Sequence, residues 1–325
     1  MKTFNAVLCL VTMGALMAIA GSAAAQQDYP NKPIRFITPY PPGGGTTFVA
    51  RLVSQKLTEA WGQPVIVDNR PGGNTIIGTE AVAKAPSDGY TILLVGNSQV
   101  LNDLLLRPPY DIMKDFAAVS LLVRNNYILV VNASLPPNNL QEFIAYAKAR
   151  PGQLNVASTG SGSSQHLMGE LFNILAGVKM QHIPYKGGAG GMTDLLGGSV
   201  QASFSNSVAV IPQITSGRLK GLAVTGEKRL AAVPRIPTYA EAGLPSYNPK
   251  NWLGVAAPAG TAEAIIDKLS TEIGRILALP EIREKLASSG QEPFYGTPEQ
   301  MAAQMKYDHA EYARVIKTAN IKLEN

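Results

Sequence analysis

The stretch Thr38-Pro-Tyr-Pro-Pro-Gly-Gly-Gly-Thr-Thr47 decides how this chain is organised. It follows the apolar run 34–37, which is typical of a strand, and precedes residues 48–60, where apolar side chains recur at helical spacing. A strand that ends in three glycines and continues as a helix leaves backbone N–H groups free at the helix start. Because helix starts carry partial positive charge, this turn predicts a binding site for phosphate, sulfate or carboxylate.

The same order of strand, loop and helix recurs along the chain, which indicates βαβ units and parallel sheets. In open α/β sheets the ligand lies at the carboxyl ends of the strands. Loops 40–47 and 69–75 are therefore predicted to line one lobe, and loops 158–164 and 185–191 the other. Two lobes that face each other across a cleft can close around a ligand.

The predicted fold class is α/β, with two lobes that each contain a mixed sheet flanked by helices. At 325 residues the chain is long enough for both. Extended apolar runs near 127–131 and 252–257 predict two crossing strands that form a hinge. The first lobe is then expected at 27–127 plus 252–325, and the second at 128–251.

Residues 1–25 predict a signal peptide that is removed. Lys2 supplies the positive charge, residues 6–20 are apolar, and Ala23-Ala24-Ala25 offers a small-residue cleavage site. The single cysteine, Cys9, lies inside this segment, so the mature chain is expected to have no disulfide, thiolate nucleophile or cysteine-bound metal. An exported chain without cysteine favours a bacterial periplasm.

Charge and motif spacing argue against several other functions. The formal net charge is +5, and lysines and arginines are scattered, which gives no support for nucleic-acid binding. No Gly-Lys-Ser/Thr follows the triple glycine, and the dinucleotide spacing is absent, so no cofactor is expected. His166, His182 and His309 do not have the spacing of metal ligands, and no metal site is expected.

The loop from Ser158 to Ser164 is rich in hydroxyl groups and lies at a predicted helix start. Hydroxyls and backbone N–H groups together can bind a carboxylate without a formal charge, although one serine can equally act as a simple helix cap. An alternative reading is an exported serine hydrolase that uses Ser163 or Ser164 with His166. The absence of a Gly-x-Ser-x-Gly pentapeptide disfavours it.

Aromatic and basic residues flank the candidate loops. Tyr40 and Tyr185 each precede a loop, where a ring can contact the ligand body or pack in the core. Arg70 and Lys186 are the basic residues closest to the loops, and either can pair with an anion or remain in solvent.

These motifs together resemble the tripartite tricarboxylate transporter substrate-binding proteins, the Bug or TctC-like family. Pro41-Pro-Gly-Gly-Gly-Thr-Thr-Phe-Val-Ala-Arg51 resembles the first loop and helix of that family. Further matches, in collinear order, are Asp68-Asn-Arg-Pro-Gly-Gly-Asn74, Ser87-Asp-Gly-Tyr-Thr91, Tyr185-Lys-Gly-Gly188, Asp194-Leu-Leu-Gly-Gly198, Pro237-Thr-Tyr-Ala-Glu-Ala-Gly243, Ala257-Pro-Ala-Gly-Thr261 and Gly296-Thr-Pro298.

The resemblance implies a monomeric periplasmic binding protein of the type II fold that delivers a small carboxylate to a membrane permease, with no catalysis. The carboxylate is expected to be a di-, tri- or aromatic carboxylate. A ligand-sensing subunit for a membrane receptor is an alternative use of the same fold. The residues expected to bind the ligand are Tyr40, Gly43, Gly44, Gly45, Thr46, Thr47, Ser98, Ser158, Thr159, Gly160, Ser161, Ser163, His166, Tyr185, Lys186, Gly187, Gly188, Ala189 and Asn206.

One position departs from the family pattern. The family commonly has an aspartate where this chain has Thr47. Threonine can still cap a helix, but the cleft loses a negative charge. The sequence therefore predicts a preference for dianions or for ligands without an amino group, with Phe48 adding apolar surface.

Overall fold

The structure is a computed structural model that describes residues 29–319, so the predicted signal peptide 1–25 lies outside the described residues. The strands within this range are β1 (Ile34–Thr38), β2 (Val65–Asn69), β3 (Thr91–Gly96), β4 (Phe116–Asn125), β5 (Tyr127–Asn132), β6 (Asn155–Ser158), β7 (Gln181–Pro184), β8 (Ala202–Asn206), β9 (Leu219–Val224), β10 (Trp252–Pro258) and β11 (Gln291–Gly296). The helices are α1 (Gly45–Trp61), α2 (Ile76–Ala83), α3 (Asn97–Leu105), α4 (Leu140–Lys148), α5 (Ser164–Ala176), α6 (Gly188–Gly197), α7 (Ser207–Thr215), α8 (Glu263–Ala278), α9 (Pro280–Ser288) and α10 (Pro298–Ala319).

The strands form two separate mixed sheets. The six-stranded sheet has the order β11-β4-β10-β3-β1-β2, with parallel pairing of β1 to β2 and β3 and antiparallel pairing around β10. The five-stranded sheet has the order β7-β6-β8-β5-β9 and is parallel only around β6. We refer to the six-stranded sheet with its helices as the first lobe, and to the five-stranded sheet with its helices as the second lobe.

Both faces of each sheet are buried, and strand β3 shows how the sequence achieves this. Ile92 and Leu94 belong to one apolar cluster, while Leu93 and Val95 belong to another on the opposite face. Side chains alternate between the faces of a strand, so a strand covered by helices on both sides reads as a continuous apolar run. Strand β5 repeats the pattern in the second lobe, with alternate residues in two clusters.

The chain crosses between the lobes at two places. Strand β4 of the first lobe ends at Asn125, and β5 of the second lobe begins at Tyr127. The chain returns at Trp252, where β10 enters the centre of the first sheet. The predicted α/β architecture, with two mixed sheets and a hinge of two crossing strands, is confirmed. Tyr127 pairs in the second sheet, one residue before the predicted start of that lobe.

Three elements were not predicted from the sequence: α3, α7 and β11. Helix α3 begins with three polar residues and α7 contains Pro212, so neither shows a clean helical pattern. Helix α1 begins at Gly45, three residues before the predicted start at Phe48, because the last glycine of the triple-glycine turn already belongs to the helix. Among residues 29–319, no helix combines the length and apolar character needed to cross a membrane.

Candidate functional site: a cleft lined by helix starts

The two lobes touch where helices of each lobe begin. An added Cβ at Gly45, the first residue of α1, would lie 2.8 Å from Oδ1 of Asn206 and 3.1 Å from Cγ2 of Val208. Glycine is therefore the residue that allows α1 and α7 to approach each other so closely. Ser98 Oγ of α3 also lies 3.3 Å from Ser164 Oγ of α5.

The loop before α6 completes this set of contacts. A Cβ at Gly187 would lie 3.5 Å from Cγ of Pro41, which belongs to the first-lobe loop. The starts of α1 and α3 in the first lobe thus meet the starts of α5, α6 and α7 in the second. Helix starts carry partial positive charge and leave backbone N–H groups without partners inside the helix, which suits an anion, although side chains of Ser163 and Asn206 take one such N–H each.

The first-lobe loop 40–47 is shaped by its backbone. Gly43 has φ +89°, a conformation that favours glycine, and Gly44 precedes α1 without a side-chain cap. The Asn69 amide supports the loop from the neighbouring strand, because its Nδ2 contacts Thr38 Oγ1 at 2.5 Å, Tyr40 O at 3.0 Å and Thr47 Oγ1 at 3.0 Å. The N–H groups of the turn are therefore free while the rest of the loop is fixed.

Thr47 occupies a different position from the one expected. Its side chain is 1% exposed, and its hydroxyl donates to the carbonyl of Pro41 at 3.3 Å while accepting from Asn69. Thr47 does not cap α1, since Gly44 is the N-cap residue. Any influence of Thr47 on the ligand must therefore act through the shape of the loop. Thr46 beside it is half-buried.

Tyr40 links the first-lobe loop to α3. Its hydroxyl donates to Oε1 of Gln99 at 3.2 Å, and the same oxygen accepts from the backbone N–H of Gly96 at 3.0 Å. Burial raises the pKa of Tyr40, so the phenol stays neutral. Ser98, in the first turn of α3, is 8% exposed.

Helix α3 is anchored deep in the first lobe by Asn97. Its Oδ1 accepts from the backbone N–H of Trp252 at 2.9 Å, and its Nδ2 contacts Oδ2 of Asp308 at 3.3 Å and the hydroxyl of Tyr312. The indole N–H of Trp252 donates to the same Asp308 oxygen at 2.6 Å. Burial raises the pKa of Asp308 to about 6.

Asn206 holds the start of α7 and contacts a residue of the crossing strand. Its Oδ1 accepts from the backbone N–H of Val208 at 3.1 Å. The Tyr127 side chain hydrogen-bonds to Asn206, but burial outweighs this and raises the pKa of Tyr127 to about 12. Tyr127 is therefore a neutral polar group at the base of the cleft.

The second-lobe loop 158–164 is held by its side chains. Ser163 caps α5 by accepting from His166 N at 3.3 Å. Ser158 Oγ lies 2.6 Å from His182 Nε2 and accepts from Gly160 N at 3.1 Å. Ser161 is exposed and Thr159 is half-buried, so these two can be reached from the cleft.

Two stacked imidazoles lie beneath this loop. The rings of His166 and His182 are 3.8 Å apart and 11° from parallel. Nδ1 of His166 accepts from Gly162 N at 3.1 Å, which places the proton of the neutral ring on Nε2. Burial lowers the pKa of His166, and burial together with the neighbouring His166 lowers the pKa of His182 to about 4.

The loop 185–191 exposes its backbone and turns its tyrosine away. Tyr185 donates to Oδ2 of Asp194 at 2.5 Å, and this hydrogen bond is the main reason that its pKa rises to about 12. Lys186, Gly188 and Ala189 are exposed. Lys186 forms no ion pair within residues 29–319, whereas Arg70 pairs with Asp68 at 3.0 Å.

The geometry does not fit a hydrolase. The Ser163 hydroxyl accepts from His166 N, and His166 uses Nδ1 to accept from Gly162, with no carboxylate as a partner in the described chain. Ser158, the serine that does contact an imidazole, is 2% exposed. A group of three or more side chains able to hold a metal ion is not found between residues 29 and 319.

Four residues that contact the candidate site were not among those expected to bind the ligand: Asn69, Gln99, Tyr127 and Ser164. Asn69 and Ser164 lie in loops that were recognised, but their partners come from distant segments. Gln99 could have been found from Asn97-Ser98-Gln99, since polar residues after a buried strand are typical of a helix start. Nothing in the sequence around Tyr127 indicates its contact with Asn206.

Comparison with known proteins agrees with this architecture. The family model for TctC, described as the tripartite tricarboxylate transporter family receptor, matches residues 49–321. BugT of Bordetella pertussis is 38% identical over 98% of this chain and 100% of its own length. An R. palustris protein solved with adipate is 35% identical, with a TM-score of 0.86 over 90% of this chain and 99% of that one. MatC from Rhodopseudomonas palustris, solved with bound malate, is 28% identical, with a TM-score of 0.81 over 89% of this chain and 100% of MatC.

The fold is therefore that of a two-lobed, type II periplasmic binding protein. The chain belongs to the tripartite tricarboxylate transporter receptor family, which includes the Bug proteins. It is a solute-binding protein and not an enzyme.

Proposed function

We propose that this protein captures a small dicarboxylate between its lobes in the periplasm and delivers it to a tripartite tricarboxylate-type permease. The observation that carries the proposal is the meeting of helix starts from both lobes, seen in the contacts of Gly45 with Asn206 and of Ser98 with Ser164. These starts offer backbone N–H groups and hydroxyls on both sides of one cleft.

The polar groups of the cleft favour an anion that needs no cationic partner. Among the residues expected to bind the ligand, only Lys186 carries a formal charge, and it is exposed. His166 has a lowered pKa and Tyr40 a raised one, so both are neutral near pH 7. Preorganised N–H and O–H donors can hold a carboxylate through hydrogen bonds to its oxygens.

Binding by both lobes explains why a ligand would favour closure. A carboxylate gains its full set of donors only when α1 and α3 face α5, α6 and α7, so it stabilises that arrangement over an open one. A ligand with a carboxylate at each end can use donors of both lobes at once. The adipate and malate in two related structures are of this class.

The membrane partner and the location are proposed on the family and on the sequence. The family model describes receptors of tripartite tricarboxylate transporters. Residues 1–25 have the pattern of an export signal. The lobe boundaries expected from the sequence, 27–127 plus 252–325 and 128–251, are part of the same proposal.

A ligand panel tests the proposal directly. We expect adipate, malate or another dicarboxylate to raise the unfolding transition, since a ligand at 100 times its Kd adds about 2.7 kcal/mol of stability. Citrate, benzoate and acetate extend the panel to other carboxylates, and glucose and neutral amides serve as uncharged controls. Thermal unfolding is followed by circular dichroism, and the affinities of the compounds that raise the transition are measured by isothermal titration calorimetry. A response to sugars with none to any carboxylate would overturn the proposal.

A further inference from the structure

A cavity of about 190 Å³ lies where the two crossing segments meet, outside the proposed cleft. None of the residues expected to bind the cleft ligand lines it. Its charged lining residues are Arg124, Glu227, Lys228, Lys250 and Glu292. They come from the end of β4, the segment after β9, the segment before β10, and β11. We call this the hinge cavity.

The hinge cavity is bordered by three cations, one of which, Lys250, also interacts electrostatically with Asp308. Arg124, Lys228 and Lys250 form no ion pair and donate no side-chain hydrogen bond within residues 29–319. Two acids, Glu227 and Glu292, also line it, which leaves one excess positive charge at the walls.

The guanidinium of Arg124 is held in a defined position although it forms no ion pair with any described residue. Arg124 lies directly opposite Glu292 in the sheet, yet the two side chains do not pair. The guanidinium instead lies over the ring of Phe294, 4.1 Å from its centre, and Glu292 accepts from Nδ2 of Asn126 at 3.3 Å. The Arg124 side chain is thus held in place by stacking, with its planar set of N–H donors unused. Such a fork fits carboxylate and phosphate oxygens.

The floor of the cavity is polar and buried. Asn125, Thr225 and Asn251 are 5%, 2% and 7% exposed. Asn125 uses its Oδ1 to accept from Gln291 at 2.8 Å, while its Nδ2 makes no hydrogen bond within the described chain. Asn125 lines the cavity, so this amide can donate to an acceptor that binds there.

We propose that the hinge cavity is a second binding site, which takes a small, multiply charged oxyanion such as phosphate or a compact dicarboxylate. The Arg124 guanidinium binds two of its oxygens, Lys228 and Lys250 neutralise the remaining charge, and the Asn125 amide donates from below. Because its walls come from both crossing segments, a bound anion favours the arrangement of the lobes described here over an open one.

Amide chemical shifts locate the site without assuming any cleft ligand. Inorganic phosphate and, separately, malonate are titrated into the full mature chain labelled with ¹⁵N. We expect saturable shifts at Asn125, Gly226 and Asn251 with phosphate. Malonate is expected to shift the same amides, whether or not it also shifts Gly44 and Ser163 in the cleft.

Variants assign the shifts to the cavity. Arg124→Met removes the charge but keeps a flexible apolar stem over Phe294, and we expect it to weaken phosphate binding at the hinge amides about tenfold or more. Arg218→Met, at an exposed arginine outside the cavity, should leave the affinity unchanged. Lys250→Met provides a second test should Arg124→Met fold poorly. Equal phosphate affinity in the wild type and in the cavity variants, or shifts confined to the cleft amides, would overturn the proposal.

Discussion

The loops 40–47 and 158–164 face each other across the cleft and follow the same order of strand, loop and helix, but they are stabilised differently. The first-lobe loop is held from outside by the single amide of Asn69, and Gly44 precedes α1 without a side-chain cap. The second-lobe loop is held by its own serines and by the stacked pair of His166 and His182.

Because the two loops are stabilised differently, each is expected to control a different property of the cleft. In the first lobe the loop is supported by Asn69 and by Tyr40, whose raised pKa keeps the phenol neutral, so the shape of the loop is expected to be independent of pH near neutrality. The small size of Gly45 sets how closely the lobes approach. In the second lobe the loop depends on imidazoles that must stay neutral. We therefore expect the first-lobe loop to determine how closely the lobes approach each other, and the second-lobe loop to determine how acid affects the stability of the protein.

The largest effect is expected from Gly45→Ala. The added Cβ would lie 2.8 Å from Oδ1 of Asn206, so the lobes must shift apart. Overpacking of this kind costs about 1–3 kcal/mol, which corresponds to roughly a five- to 150-fold loss of affinity. Calorimetry with the most strongly binding dicarboxylate of the panel measures it.

Gly197→Ala is the matched control, because a Cβ at Gly197 meets nothing within 4 Å. If Gly45→Ala weakens binding by preventing the two lobes from closing, both variants should still unfold at similar denaturant concentrations. Identical ligand affinities for the two variants would contradict the role given to Gly45.

An intermediate effect is expected from acid, through His182. Its pKa is about 4 in the folded protein and 6.5 when unperturbed, so between these values the unfolded chain binds a proton that the folded chain does not. The stabilisation that His182 provides is complete above about pH 6.5 and is lost as the pH falls towards 4. His182→Gln should therefore lose less stability than the wild type between pH 7 and pH 4.5.

The loss of stability in acid must be compared between His182→Gln and the wild type, because Asp308 in the first lobe changes the stability with pH in the opposite direction. Its pKa is raised to about 6, so its contribution favours the folded state at low pH and is lost as the pH rises through 6. Urea unfolding at pH 7 and at pH 4.5 gives the change in the free energy of unfolding for the wild type and for His182→Gln. The same loss of stability in His182→Gln and the wild type would show that the imidazole pair does not confer the acid sensitivity.

The smallest effect is expected from Ser98→Ala. It removes the 3.3 Å contact between hydroxyls of the two lobes. A hydrogen bond between neutral groups contributes about 0.5–1 kcal/mol, so the dicarboxylate affinity should fall about two- to fivefold. Ser288→Ala, at a serine of α9 that bonds to Lys285 O within its own helix, is the control. A loss as large as that of Gly45→Ala would mean that Ser98 does more than bridge the lobes.

The sequence predicted those parts of the fold that depend on local patterns. The apolar runs of β1 and β3 and the glycine-rich turn indicated the parallel units, and the serine-rich loop indicated the start of α5 to within a residue. Helix α3 was missed because its polar first turn, Asn97-Ser98-Gln99, is stabilised by partners far away in the chain.

The loops that form the candidate site were recognised in the sequence, but the direction of their individual side chains was not. Thr47 was expected at the edge of the cleft and lies inside its loop, because Asn69 of the neighbouring strand offers it a donor. Tyr185 was expected beside the ligand and bonds to Asp194 on the following helix. Such choices depend on which partner is nearer in space, and spacing along one segment does not contain that information.

The anchoring of Asn97 has a consequence for the order in which the protein can be assembled during synthesis. Asn97 depends on Trp252 and on Asp308, which is 211 positions later in the chain. The cleft face that carries Ser98 therefore cannot be completed until α10 has been made. Contacts so distant in sequence slow folding, so the binding surface of the nascent chain stays unfinished until Asp308 has been added and has folded against Asn97.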